Sequence, residues 1–310
     1  MMGWIDQNEF LIGSTLTVFL LAISIQIPLR LGVISFASIG YYAIGGYGTA
    51  ILMTQYDVST WTSVVVASVA AAAVAMLLGL IISRLNGLYL AMATVSFSLL
   101  LSAVAVNGGS VTGGAVGLFG IIGDITIWHT AGIAVVIIIL VSFTERGKLS
   151  RRIDATREDS QLASAMGINV NAYRRLSFPV SGLIGGLAGG LAVNLKTAIN
   201  PESVNFTLVV LALTIIIIGG QASWIGALAG SLFFVWLPEI LVFVGEWEEV
   251  VYGTLVVFAA VLVPGGVVGV FNDWRHRRSV ARERPKVALL EAAAGESDAE
   301  LTQSRSGKDG

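Results

Sequence analysis

Between its apolar runs the chain has one long polar stretch rich in charged groups, ERGKLSRRIDATREDSQLASAMGINVNAYRRLSF (145–178). Thr156 followed by Asp159 fits a capping box, in which a side-chain oxygen and a residue three positions on satisfy the free backbone N–H groups of a helix start. Glu158 and Asp159 then fall in the first turn, where carboxylates favour the positive end of the helix dipole. Gly167 is placed to close the helix in a left-handed conformation. The spacing predicts a short helix over about 157–166, with Arg157 in its opening turn and Leu162 and Met166 one turn apart on one face. A helix this short is marginal alone. Two-ended capping and an apolar pair suit an element that docks on another chain, whereas a solvated connector needs neither.

Other chemistry is excluded by composition. The chain has no cysteine and only two histidines, His129 and His276, which removes disulfides, thiol catalysis and His- or Cys-based metal centres. A phosphate-cradling loop would read G-x-x-x-x-G-K-[ST]. The Gly-Lys pairs, Gly147-Lys148 and Gly307-Lys308, are followed by Leu149 and Asp309, with Ser142 and Thr302 where the first glycine should stand. No catalytic residue, metal ligand or cofactor is expected, and no nucleic acid partner.

The elements that hold this stretch are hydrophobic. Of 310 residues, 55% are hydrophobic and 12% charged, and 36 are glycine; mean hydropathy is +0.83. A soluble domain carries roughly 25% charged residues, so two soluble domains would lack a polar surface. The composition implies an all-α polytopic membrane protein. Spans of about 20 apolar residues fall near 10–28, 30–53, 60–82, 85–106, 127–144, 176–196, 206–220, 224–244 and 250–271, about nine in all within a range of eight to ten. The second, rich in Gly, Ser and Tyr over 32–52, is the one suited to a broken or re-entrant helix. The first lacks the basic start and small-residue cleavage site of a signal peptide.

Short loops rich in Lys and Arg stay in the cytoplasm. Seven of the 18 Lys and Arg lie in 145–175 and eight follow Asn272. Placing both segments inside requires an even number of intervening spans. The expected topology has the N-terminus outside, the C-terminus inside, Arg30 and Arg84 inside, and Lys196 as the exception. Residues 1–271 form the membrane domain, with 145–175 as its cytoplasmic loop. Residues 272–310 form a largely disordered cytoplasmic tail whose basic start suits anionic lipid.

Three further groups stand out. Gly182, Gly186 and Gly190, flanked by Gly185 and Gly189, form overlapping GxxxG patterns and predict close helix packing. Ser35, Ser38, Tyr41 and Tyr42 in the second span, with Thr94, Ser96 and Ser98 in the fourth, give a weakly polar side. It is either satisfied within the bundle or part of a path for a small solute. The glycine-rich loop 107–120, with Thr112, Gly113 and Gly114, is a plain connector or an outer gate.

An ordered set of motifs resembles the branched-chain amino acid permeases of ABC importers, of the LivM type. The family's second-span pattern, near GxLSLGHAAFFGIGAY, is matched by GVISFASIGYYAIGGY (32–47), and RLRGxYFAIxTLAF by RLNGLYLAMATVSF (84–97). TGGAVGLFGI (112–121) and ATREDSQLASAMGIN (155–169) follow. INPESVNF (199–206), IIGGQASWIGALAG (217–230), LPEIL (237–241) and YGTLVVFAAVLVPGGVVGV (252–270) complete the order. The chain departs from the pattern at Ser38 (His in the family), Ala37 (Gly), Ala222 (Gly) and Ala227 (Pro).

The resemblance implies a multi-pass permease subunit of the bacterial inner membrane with no chemistry of its own. It implies two ATP-binding cassette ATPase subunits, a homologous second permease and an extracytoplasmic solute-binding protein as partners. Residues 155–169 would insert into the ATPase, and the substrate would be a branched-chain amino acid, with urea or short amides as alternatives. The competing reading is a self-contained ion-coupled carrier. Such carriers place ionisable residues mid-membrane at roughly 2.5–3.5 kcal/mol each, and the span centres here hold none.

Overall fold

The computed structural model describes residues 8–82, 85, 87–221, 223–241, 250–251, 253–255 and 257–258. The expected ninth span at 250–271 lies largely outside these residues, and the tail 272–310, Arg84 and Ala222 lie wholly outside them. Helices α1 (Glu9–Leu29), α2 (Ala37–Tyr56), α3 (Thr60–Ile82), α4 (Gly87–Asn107) and α5 (Ile127–Thr144) come first. Two short helices follow, α6 (Gly147–Glu158) and α7 (Ser160–Ala165), then the long α8 (Val170–Lys196), a 3-10 turn (Pro201–Val204), α9 (Phe206–Gly219) and α10 (Trp224–Leu241). The one sheet among the described residues is a two-stranded antiparallel ladder, β1 (Leu118–Phe119) with β2 (Ala198–Ile199). The fold is helical, as the composition requires.

Among the described residues, α1, α3, α4, α5, α8 and α10 are long and apolar enough to cross a membrane. The other two expected spans are helical but weaker. α9 has 14 residues, and α2 is diluted by glycine, serine, threonine and tyrosine. α2 is also later than expected and unbroken. Residues 30–36 form a turn through Gly32 and a non-helical run, and the helix begins at Ala37. α8 is longer than expected, because Asn169 caps it by accepting from the Ala172 N–H at 3.1 Å, which makes Arg174 and Arg175 helical.

α8 is the centre of the bundle and packs against α1, α2 and α3. Within their apolar windows 72% of α8 is buried but only 33% of α3, so α8 is shielded by protein while α3 presents a broad apolar face outward. The glycines explain how α8 accommodates three neighbours. Gly182, Gly186 and Gly190 face Ala75, Ala71 with Ser68, and Val64 of α3, while Gly185 and Gly189 face Ser38, Tyr41 and Tyr42 of α2. A methyl at Gly189 would strike the Tyr42 carbonyl oxygen, and one at Gly45 would strike the Gly186 backbone. Glycine costs about 1 kcal/mol relative to alanine in a helix. Backbone-to-backbone packing offsets that cost here.

The connections sort onto two ends. At one, Leu31, Val33, Ile82, Leu90, Ile153 and Phe178 share an apolar cluster, and residues 26–30, 144–145 and 221–224 are hydrogen-bonded together. At the other, Gln55 Nε2 donates to the Val111 carbonyl, Asp124 N–H to Thr60 Oγ1, and Ile121 N–H to the Thr197 carbonyl. The first end carries Arg30 and the seven basic residues of 146–175. The second carries Lys196 as its only Lys or Arg among the described residues.

Candidate functional site

The polar stretch forms two helices at the basic end, and the break falls later than the sequence suggested. α6 runs through Arg157 and Glu158, and Asp159 (φ −146°, ψ 103°) interrupts it. The Asp159 carboxylate accepts from the N–H groups of Gln161 and Leu162 at 2.8 and 3.0 Å, so Asp159 is the cap of α7. Thr156 is not a cap: it is buried in α6, and its hydroxyl donates to the Arg152 carbonyl at 2.8 Å. An ionised carboxylate makes a stronger cap than a hydroxyl, and Arg157 favours the C-terminal end of the α6 dipole. Gly167 (φ +83°) closes α7 as expected. Its N–H donates to the Ser164 carbonyl, and Ile168 N–H to the Ala163 carbonyl at 3.0 Å, the paired bonds of a Schellman motif. Leu162 and Met166 are 59% and 73% exposed, while Ala163 turns inward.

A joint missed by sequence reasoning connects this pair to the membrane helices. Glu145, just after α5, lies 3.6 Å from Arg30, just after α1. The same carboxylate accepts from the Trp224 N–H at 2.8 Å and the Ser223 hydroxyl at 3.1 Å, capping α10 from a distance. Gln26 Nε2 donates to the carbonyls of Gln221 and Ser223, and Arg30 donates to Thr144 Oγ1 at 3.2 Å. Burial pulls the Arg30 pKa below its ordinary value, and Glu145 and then Asp154 oppose that shift. Gly32 sits against the Arg157 backbone, so the turn after Arg30 touches the end of α6. The signal in sequence was only that Arg30 and Glu145 each end an apolar run.

The hydroxyl groups of the second and fourth spans are brought together, with one exception. Thr94 Oγ1 accepts from the Phe36 N–H at 3.0 Å, and the Ser98 hydroxyl donates to the Phe36 carbonyl at 2.9 Å. These bonds satisfy the backbone just before α2 begins. Ser38 and Ser24 both meet Ser181 of α8, at 3.0 and 3.2 Å, in a buried three-helix cluster. Ser35, Tyr41 and Tyr42 are buried beside them, Tyr41 against Phe97 with its hydroxyl unpartnered. Ser96 is exposed on the opposite side of α4 and does not join the group.

At the end carrying Lys196 the glycine loop is ordered by its own hydrogen bonds. The buried Thr112 hydroxyl donates to the Ala105 carbonyl at 2.7 Å, and Gly113 and Gly114 take left-handed conformations. The loop then enters β1 beside β2. Among the described residues no group of His, Cys, Asp and Glu could hold a metal.

A family model described as the permease component of branched-chain amino acid transport systems matches residues 9–260. The chain belongs to the branched-chain amino acid ABC permease family. It is 26% identical to the LivM permease protein of the high-affinity branched-chain amino acid transport system of Escherichia coli, over 91% of this chain and 72% of that protein. The Salmonella typhimurium protein of the same name is 25% identical over 82% of this chain and 69% of its own length. No solved structure matches.

Membership in this permease family makes the chain a multi-pass membrane protein, in keeping with the six long apolar helices among the described residues. Three of its four departures from the family pattern lie among the described residues, and these three occupy packed positions. Ser38 belongs to the buried serine cluster, Ala37 opens α2 without exposure, and Ala227 is buried in α10.

Proposed function

We propose that this chain is the membrane-spanning subunit of an ATP-driven importer in the bacterial inner membrane, carrying branched-chain amino acids into the cytoplasm. The basic end is cytoplasmic under the positive-inside rule, with the N-terminus outside and residues 145–175 as the coupling loop. Residues 1–271 form the permease domain and 272–310 a cytoplasmic tail. Two separate ATPase subunits drive it, a homologous permease completes the pore, and an external binding protein delivers substrate at the end carrying Thr112–Gly114.

The observation that carries this reading is α7, capped at both ends and offering Leu162 and Met166 to a partner. The seam of Ser35, Ser38, Tyr41, Tyr42, Thr94 and Ser98 is assigned to the wall of the path. In the conformation described its helices are closed on one another. The glycine face of α8 holds that wall in place.

The test is affinity purification of the tagged chain from its native membrane. Wild type should bring ATPase subunits and a second permease. Leu162→Asp with Met166→Asp should lose the ATPase while the chain still inserts. A chain that purifies alone yet transports in liposomes under an ion gradient would establish the carrier reading instead.

A further inference from the structure

Between the turn at 32–34, the start of α7 and the first turns of α8 lies a cavity of about 440 Å³. Its walls are of two kinds. Val33, Leu90 and Phe178 supply apolar surface, and Ser160, Arg174 and Arg175 supply polar surface. Among the described residues neither arginine has a carboxylate within ion-pair distance. Asp159, the acid next to Ser160, is already committed to capping α7. Arg174 Nε is closed off from solvent with no acceptor, and a buried donor left unmatched is costly. Two guanidinium groups in one cavity therefore call for an anion with several acceptor oxygens, and phosphate matches the guanidinium fork.

The apolar walls narrow the class of anion. Ile34 and Leu85, both exposed, line the same cavity, and Leu88 and Tyr89 at the start of α4 are exposed beside it. These side chains lie at or near the ends of helices long and apolar enough to cross a membrane, where exposed apolar surface suits acyl chains. The cavity thus joins a cationic recess to an exposed apolar surface at the basic end. A free phosphate uses only the recess, and so does a carboxylate from a partner protein. A phospholipid uses both.

We propose that this cavity binds one anionic phospholipid, its phosphate held by Arg174 and Arg175 and its acyl chains lying along Ile34, Leu85 and Leu88. Because Ser160 faces the cavity while Leu162 and Met166 are exposed, the headgroup sits behind α7, between the docking helix and the membrane helices. Binding of the lipid does not depend on the importer reading, since it is measured on the chain itself.

The test is native mass spectrometry of the full chain in mild detergent, titrated with phosphatidylglycerol or phosphatidylcholine. Because the proposal rests on direct, charge-assisted hydrogen bonds from the two guanidinium groups to the phosphate, Arg174→Gln with Arg175→Gln should weaken phosphatidylglycerol binding about thirty-fold or more. Arg151→Gln with Arg152→Gln, outside the cavity, should leave it unchanged. Asn171→Trp, which fills the mouth of the cavity without removing charge, should also abolish retention at an unchanged melting temperature. Equal retention of the two lipids, or equal loss in both arginine pairs, overturns the proposal. So does displacement of the lipid by millimolar inorganic phosphate, which would mark a free-anion site. Loss of the lipid whenever the chain is purified with its partner subunits would assign the arginines to a protein contact.

Discussion

Glu145 and Arg30 end two helices that are distant in sequence, and their side chains meet 3.6 Å apart at the basic end of the bundle. Because the same carboxylate caps α10 through Trp224 and Ser223, one side chain ties the ends of α1, α5 and α10 together. Removing one partner of a buried pair strands the other, at a cost of about 3 kcal/mol. Glu145→Ala should therefore lower thermal stability in detergent sharply. Glu145→Gln should cost less, because its amide oxygen can still accept from Trp224. A differential scan that finds the two variants equal would remove the capping role.

The cap of α7 yields a second expectation. Asp159→Ala should cost about 1 kcal/mol of local helix stability and reduce co-purified ATPase. Thr156→Val should not change helix capping, since Thr156 bonds within α6. Asp159→Asn, which keeps an acceptor, should restore most of the binding. Quantitative pull-down from membranes separates the three variants.

Glycine positions differ by what surrounds them. Gly189→Ala places a methyl on the Tyr42 carbonyl oxygen, and overpacking of this kind costs about 1–3 kcal/mol or more. Gly132→Ala on α5 meets nothing within 4 Å and should be neutral or stabilising by up to about 1 kcal/mol. The melting temperature should fall for Gly189→Ala and hold or rise for Gly132→Ala.

Orientation is accessible because the chain contains no cysteine. A membrane-impermeant maleimide applied to intact spheroplasts should label Ser110→Cys and spare Leu162→Cys. Inverted vesicles should give the reverse. Labelling of Leu162→Cys and not Ser110→Cys in intact spheroplasts would refute the positive-inside assignment.

The buried serine cluster supplies a test of the path. Ser38→Cys should resist thiol reagents in the resting protein, where it packs on Ser181. It should become reactive during ATP-driven transport in reconstituted vesicles. Protection that persists through turnover would make the cluster a structural joint only.

The helical, membrane-spanning character of the chain was legible in sequence because a bilayer demands long apolar runs whose backbone groups are satisfied within each segment. The glycine spacing of α8 was legible for the same local reason: a helix places every fourth residue on one face. So was the closing role of Gly167, since a left-handed end favours glycine. Other features depended on competition between groups. Asp159 displaced Thr156 as the cap because a carboxylate outcompetes a hydroxyl, and α2 began at Ala37 because Thr94 and Ser98 hold the Phe36 backbone outside the helix. Only tertiary structure could bring Arg30, Glu145 and Trp224 together, or place Arg174 and Arg175 around one cavity. Those contacts join segments far apart in the chain, and periodicity carries no information about which helix ends will meet.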